Sequence, residues 1–170
     1  MPLSRLLKFL FTVWLAASCL ANTALANMRE EIDLIIVNKT ERQLHLLQGD
    51  EIVRTYPISL GKNPIGHKTH EGDQRTPEGR YLIDWRNPES RYHLALHISY
   101  PSPQDLQKAE QHGVNPGGSI MIHGLPKKFS DGANVLLDLD WTDGCIALSN
   151  NHMEEVWNLV ADNTVIEILP

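Results

Sequence analysis

Short apolar runs, several alternating with polar residues, are separated by Gly, Pro, Asn and Asp along most of the chain after residue 30. That period of two predicts strands. Ile32–Val37 is β-branched and apolar, Gln43–Leu47 follows a polar turn, and Gln48-Gly49-Asp50 reads as a hairpin connection into Glu51–Tyr56. Closely spaced strands with turn signals predict an antiparallel, mainly β architecture rather than alternating β-α units. Residues 61–79 are rich in Gly, Pro and Thr and read as one long loop, which in a compact domain is functional or mobile. Strand pattern resumes at Arg80–Trp85 and at His93–Ser99, where His93, Ala95 and His97 alternate with Leu94, Leu96 and Ile98. Ser119–Ile122 is an apolar strand delivering His123-Gly124, Cys145–Leu148 is a short strand, and Val165–Ile168 is the last.

Helical signals are few. Ser102 suits an N-cap, Pro103 the first helical position and Gly113 the stop. A turn or short helix is expected over Ala133–Leu137. Asn151-His152-Met153-Glu154 resembles a capping box, after which Met153, Val156, Trp157 and Val160 recur at helical spacing as a core face.

The first 26 residues differ from the rest. Arg5 and Lys8 precede an apolar run from Phe9 to Leu20, and Ala24-Leu25-Ala26 supplies a small-x-small cleavage site, so they read as an export signal with the mature chain starting at Asn27. The run is short of the roughly 20 residues a membrane span needs. A lipid anchor on Cys19 is disfavoured because Ala16 stands where such signals usually carry Leu. No stable membrane insertion is expected after cleavage. Residues 27–170 then make one ordinary domain. The 170-residue chain carries a net charge of −6, and removing Arg5 and Lys8 makes it more acidic. Such a surface has no electrostatic footprint for nucleic acid.

The chain holds two cysteines, Cys19 and Cys145. Loss of the signal leaves one thiol and no internal disulfide, so stability rests on the packed core. Cys145 lies in Thr142-Asp143-Gly144-Cys145-Ile146, and His123-Gly124 stands 22 positions upstream. A thiol attacks a carbonyl as thiolate, an imidazole in reach can take its proton, and backbone N–H groups can receive the resulting oxyanion. The Asp143-Gly144-Cys145 backbone can supply such donors, and the Gly124 carbonyl is a candidate to orient the imidazole. A buried structural cysteine is the alternative reading of Cys145.

His-Gly, a gap of about twenty, then Ser/Thr-x-Gly-Cys-Ile resembles the YkuD domain of L,D-transpeptidases, including the ErfK/YbiS group. Thr76-Pro77-Glu78-Gly79-Arg80-Tyr81 is similar to the family's Thr-Pro-x-Gly-x-Tyr/Phe segment, and Ile98-Ser99-Tyr100-Pro101 to its aromatic-Pro segment. The resemblance spans Glu31 to Leu169. It implies a mainly β, sandwich-like domain with a few short peripheral helices. It also implies Cys145 as nucleophile, His123 as base, Gly124 as orienter, and the amides of Asp143, Gly144 and Cys145 as oxyanion hole. The implied substrate is a peptidoglycan stem peptide in the periplasm, attacked at the L-centre of diaminopimelate with loss of D-Ala. No cofactor is implied. The acceptor is a stem amine, a wall-linked lipoprotein lysine or a D-amino acid; water would make the domain a carboxypeptidase or endopeptidase. Two positions depart from the pattern: Thr142 replaces the usual Ser, keeping the hydroxyl, and Ala147 replaces an Arg. Losing that planar cation leaves acceptor choice open.

Thr142, Tyr100, His97 and Arg75 are expected to bind substrate. Lys62 and Lys68 are further candidates to meet stem carboxylates, and His93 shares a strand face with His97. Trp141 is expected to pack beneath the catalytic turn. Asp138 and Asp140 flank that turn and read more simply as loop residues than as an acid/base pair. His67-x-x-His70-Glu71 lies in a Gly- and Pro-rich segment with no clear third ligand and reads as solvated loop, so no metal is expected. A non-catalytic wall-binding module that has kept the fold is the alternative from another class.

Overall fold

The computed structural model describes residues 32–127 and 138–170. The expected export signal over residues 1–26 and the helical turn expected over Ala133–Leu137 lie outside them. The first three strands form a meander: β1 Ile32–Asn38, β2 Gln43–Gln48 and β3 Glu51–Pro57. β4 Gly79–Asn87, β5 Ala95–Ile98, β6 Met121–His123, β7 Ile146–Ala147 and β8 Val160–Leu169 complete an eight-stranded sheet of order β3-β2-β1-β8-β4-β5-β6-β7. The sheet is curled. β4 pairs with β8 along Gly79–Leu82, then with β5 from Ile83 onward, and a bulge between Ile83 and Trp85 marks the change. A bulge raises local twist and bends the strand there.

The antiparallel expectation holds for most pairs but not for β1–β8 or β6–β7, which are parallel. β8 is also longer than the expected Val165–Ile168. Ile35, Val37, Leu44, Leu46, Ile83, Leu96, Ile98, Ile122, Ile146, Leu148 and Ile166 fill one core between the sheet surfaces, each wholly buried.

α1 Pro103–His112 begins at Ser102, whose hydroxyl accepts from the Asp105 amide while Asp105 returns a bond to the Ser102 amide. Gly113 ends it in the left-handed region, as its position predicts. α2 Asn150–Leu159 starts two residues earlier than the Asn151 capping box implies. Ser149 is the N-cap and its hydroxyl accepts from His152 N–H at 3.2 Å. Met153 and Val156 point into the core as expected, while Val160 opens β8.

The loop of residues 61–79 is pinned by buried cations. Lys39, 2% exposed, donates from Nζ to the carbonyls of Gly66 and Thr76 and pairs with Glu78 at 2.7 Å. Lys68 pairs with Asp73 at 2.8 Å, and Asp73 also accepts backbone N–H bonds from Thr69, His70 and Arg75. These donors hold the Asp73 carboxyl well below the usual range against the burial that opposes them. The loop thus becomes a fixed wall beside β7: Gly61 bridges Thr142, and Ser59 exchanges both backbone bonds with Ala147 at 2.9 Å.

Candidate active site

Strand pairing brings the histidine and the cysteine together. β6 and β7 run parallel with Ile122 opposite Ile146 and His123 opposite Ala147. Extending that register by one residue sets Cys145 beside Met121. Side chains alternate across a strand, so Met121, His123 and Cys145 share one face while Ile122 and Ile146 enter the core. Both Cys145 and His123 line one cavity of about 550 Å³, with Lys62, Asn87, Tyr92, Ser119, Trp141 and Thr142 among its other walls.

His123 is 4% exposed and its Nδ1–H donates to the Gly124 carbonyl at 2.7 Å. That bond fixes the tautomer and leaves Nε2 as an acceptor. Tyr92 lies against the ring at 4.6 Å between centroids and Trp141 meets it edge-on at 5.7 Å. Burial pulls the imidazole pKa down to about 4, partly opposed by the Gly124 carbonyl. That shift favours the neutral imidazole, whose Nε2 can accept a proton. The residue after it has to be glycine on packing grounds: a Cβ there would lie 2.6 Å from Asn150 Oδ1 and 3.0 Å from the Tyr92 carbonyl. Asn150 Oδ1 in turn accepts from Leu125 N–H at 2.8 Å, tying the strand end to α2.

Cys145 is half-buried, and its Sγ–H donates weakly to the Ser119 carbonyl at 3.7 Å. Desolvation pushes the thiol pKa above its ordinary value; the Met121 N–H favours the thiolate and the Asp143 carboxylate opposes it. Burial thus favours the neutral form of both groups. The turn before the sulfur is held by Thr142, whose hydroxyl donates to the Cys145 carbonyl at 2.7 Å and accepts from Gly144 N–H at 3.1 Å. Gly144 has φ +129°, and a Cβ on it would meet the Arg75 carbonyl at 2.7 Å. Only glycine fits both demands. Asp143 points outward, 79% exposed, and pairs with Lys62 at 2.9 Å, which keeps its carboxyl below the ordinary range.

The expected substrate-binding residues divide. Thr142 lines the cavity, but as a strut of the turn. Tyr100 is buried, donating its hydroxyl to the Pro116 carbonyl and packing on Tyr81 and His67, and it does not line the cavity. Arg75 contributes its backbone to the close packing at Gly144, and its side chain is not part of the cavity wall. His97 lies just beyond the cavity, bonded to Asp84 at 2.6 Å. His93 leaves the strand with positive φ and pairs with Glu154. His67 sits between Glu78 N–H and Asp105, and His70 bonds Thr69. Lys62 reaches the cavity; Lys68 does not. Asp140 serves the loop, bonding Arg42 and the Leu60 amide. Tyr92, Ser119 and Asn87 are cavity residues that sequence reasoning did not single out. Tyr92 and Asn87 occupy an irregular segment and a strand end, where periodicity gives no signal, while Ser119 lies two residues before β6 rather than inside the strand expected to start there.

The family model of the YkuD domain, the L,D-transpeptidase catalytic domain, matches residues 32–168. This chain belongs to the L,D-transpeptidase catalytic-domain family. It is 31% identical over 133 residues to a protein of Escherichia coli K12 named putative L,D-transpeptidase YafK, covering 74% of this chain and 46% of that one. The chain thus spans about half the length of the curated relatives it matches. Among solved structures it is similar to the helical cell shape determining protein Pgp2 of Campylobacter jejuni, with TM-score 0.59, 27% identity, and 81% and 47% of the two chains covered. Bd1075 of Bdellovibrio bacteriovorus gives TM-score 0.56 at 25% identity over 82% of this chain and 48% of that one. An L,D-transpeptidase of Xylanimonas cellulosilytica shares the fold, with TM-score 0.53 at 14% identity over 82% and 61%. The mainly β fold with short helices is the family's own.

Proposed function

We propose that this domain is an exported cysteine acyltransferase acting on peptidoglycan stem peptides in the periplasm. The observation that carries the reading is the shared cavity wall. Cys145 and His123 sit on one face of adjacent β-structure, and the imidazole's other nitrogen is tied to the Gly124 carbonyl. The thiol rotates from the Ser119 carbonyl toward Nε2 of His123, which takes its proton. Sulfur then forms a bond to the carbonyl carbon of the L-centre of diaminopimelate. Because Gly144 N–H is already given to Thr142, the amides of Asp143 and Cys145 are the donors for the oxyanion. The imidazolium returns its proton to the nitrogen of the departing D-Ala as the C–N bond breaks, leaving a thioester on Cys145. An acceptor amine loses a proton to His123 and displaces the sulfur. The acceptor is a second stem, a lipoprotein lysine or a free D-amino acid. A role in cell shape, which the description of Pgp2 carries, extends to this domain on the same reading.

A second reading, hydrolysis of the same thioester by water, is favoured by one observation. Ala147, where the family usually carries Arg, is wholly buried beside His123 and both its backbone groups are bonded to Ser59. No cation at that position holds an incoming carboxylate. Incubation with purified muropeptides, with and without an amine acceptor, followed by mass spectrometry separates the two. New diaminopimelate–diaminopimelate links support transfer; shortened stems alone support hydrolysis. Turnover unchanged in Cys145→Ala would refute both.

A further inference from the structure

The cavity around the thiol does not end the accessible face of this sheet. Met121, which lines the cavity, pairs with His97 on β5, and His97 pairs with Trp85 on β4. Cys145, Met121, His97 and Trp85 therefore form one row across four strands, all on the face that carries the catalytic pair. The opposite face of the same strands is core, with Ile83, Leu96, Ile98, Ile122 and Ile146 wholly buried. At the far end of the row, Trp85 is 45% exposed. Its indole is stacked on the His97 ring at 4.9 Å and 19° between planes. Asp84, the extra residue of the β4 bulge, fixes that imidazole through a 2.6 Å contact to Nδ1. One indole face is thus propped from behind by a held ring, while the side chain stays open to solvent beside a carboxylate.

We propose that Trp85, backed by His97 and flanked by Asp84, is a carbohydrate subsite that takes a pyranose ring of the glycan strand carrying the stem peptide. The inference rests on the stem-peptide reading above. A pyranose offers a flat patch of C–H groups to an aromatic face and hydroxyls at its rim, which match the indole and the Asp84 carboxylate. The spacing agrees. Three strand intervals of about 4.8 Å put Trp85 roughly 14 Å from the thiol. The three stem residues ending at the attacked carbonyl span about 10–11 Å when extended, and the lactyl link to the sugar adds a few ångströms. A stem laid along the row from Cys145 across Met121 brings its sugar onto the indole. An isolated surface tryptophan would need no explanation; one in register with the nucleophile and backed by an imidazole that a carboxylate fixes is a built platform.

The test compares one tetrapeptide stem, free and attached to its disaccharide, using the full chain and its Trp85→Ala, Trp85→Phe and Asp84→Asn variants. The expected result is a KM about tenfold lower for the disaccharide-linked stem in the unaltered protein. Trp85→Ala removes that advantage with kcat little changed and the free stem unaffected, Trp85→Phe restores part of it, and Asp84→Asn lowers it severalfold. An unchanged KM for the linked stem in Trp85→Ala overturns the proposal, and so does an equal loss on both substrates, which would place peptide or an apolar partner on the indole. If the unaltered protein turns over neither stem, the stem-peptide reading fails by itself. Indole fluorescence titrated with N,N′-diacetylchitobiose then decides the subsite: a saturable change absent in Trp85→Ala supports it, and no change overturns it.

Discussion

Thr142→Val tests whether the turn before Cys145 is held by one hydroxyl. Valine matches threonine in shape, so the 4%-exposed site keeps its packing and loses only the oxygen. That oxygen bonds the Cys145 carbonyl at 2.7 Å and the Gly144 amide at 3.1 Å. Leaving a buried polar group unpaired costs about 1–3 kcal/mol each, so the two together cost about 3 kcal/mol with the half-buried Cys145 carbonyl toward the low end. The folded domain spans Ile32–Pro170, and at about 2.1 cal/mol/K per residue its unfolding entropy is about 0.3 kcal/mol/K. The expected fall in Tm is therefore about 10 °C by calorimetry. Thr142→Ser keeps both bonds and loses only a methyl, costing about 1 kcal/mol. Acylation of Cys145 by a carbapenem, followed by intact mass, should slow at least tenfold in Thr142→Val and little in Thr142→Ser. A Thr142→Val protein melting within 3 °C of the parent would refute the strut. Faster acylation would show that the freed Gly144 amide belongs in the oxyanion hole after all.

Three further outcomes follow from the same contacts. His123 has a folded pKa of about 4 against an ordinary 6.5, so the unfolded chain binds the extra proton first as pH falls. Its contribution is complete above pH 6.5 and is lost between 6.5 and 4, about 3 kcal/mol in all, and urea titrations should show that limb reduced in His123→Gln. Gly144→Ala forces a Cβ to 2.7 Å from the Arg75 carbonyl at φ +129°, so its Tm should fall further than that of Thr142→Val and thiol acylation should be lost. Lys39→Met leaves Glu78 and two carbonyls without their buried cation; chemical denaturation should show a loss of about 3–5 kcal/mol, partly recovered by adding Glu78→Gln.

That Cys145, His123 and the Gly124 carbonyl belong to one candidate site was legible because their chemistry is tied to residue type, and the structure sets the thiol and the imidazole in one cavity wall. A thiol after Gly and a His-Gly at a strand end, some twenty residues apart, are marks that the sequence carries on its face. The strands were legible from their period of two, and α1 from a cap, a proline and a stop that all agree. Parallel pairing of β1 with β8 was not, since it joins segments more than a hundred residues apart and leaves no local mark. The start of α2 was misplaced because Ser149 and Asn151 are both good caps, and only the Ser149 hydroxyl meets a helix amide. Tyr100 and Arg75 show the same limit for side chains. An aromatic hydroxyl or a guanidinium signals binding in the sequence, yet a carbonyl at Pro116 and the close approach of the Arg75 backbone to Gly144 decide where each goes. Tyr92 and Trp141, which wall the imidazole, come from segments without periodic pattern.

The central claim is that Cys145 carries the acyl group. Brief incubation with a diaminopimelate-containing tetrapeptide stem, acid quench, and peptide mapping by mass spectrometry test it most directly. The account predicts a thioester adduct of the stem minus D-Ala on the peptide containing Cys145, and no adduct in Cys145→Ala. Release of D-Ala by the Cys145→Ala protein at the parent's rate, with no adduct on the parent, would contradict it.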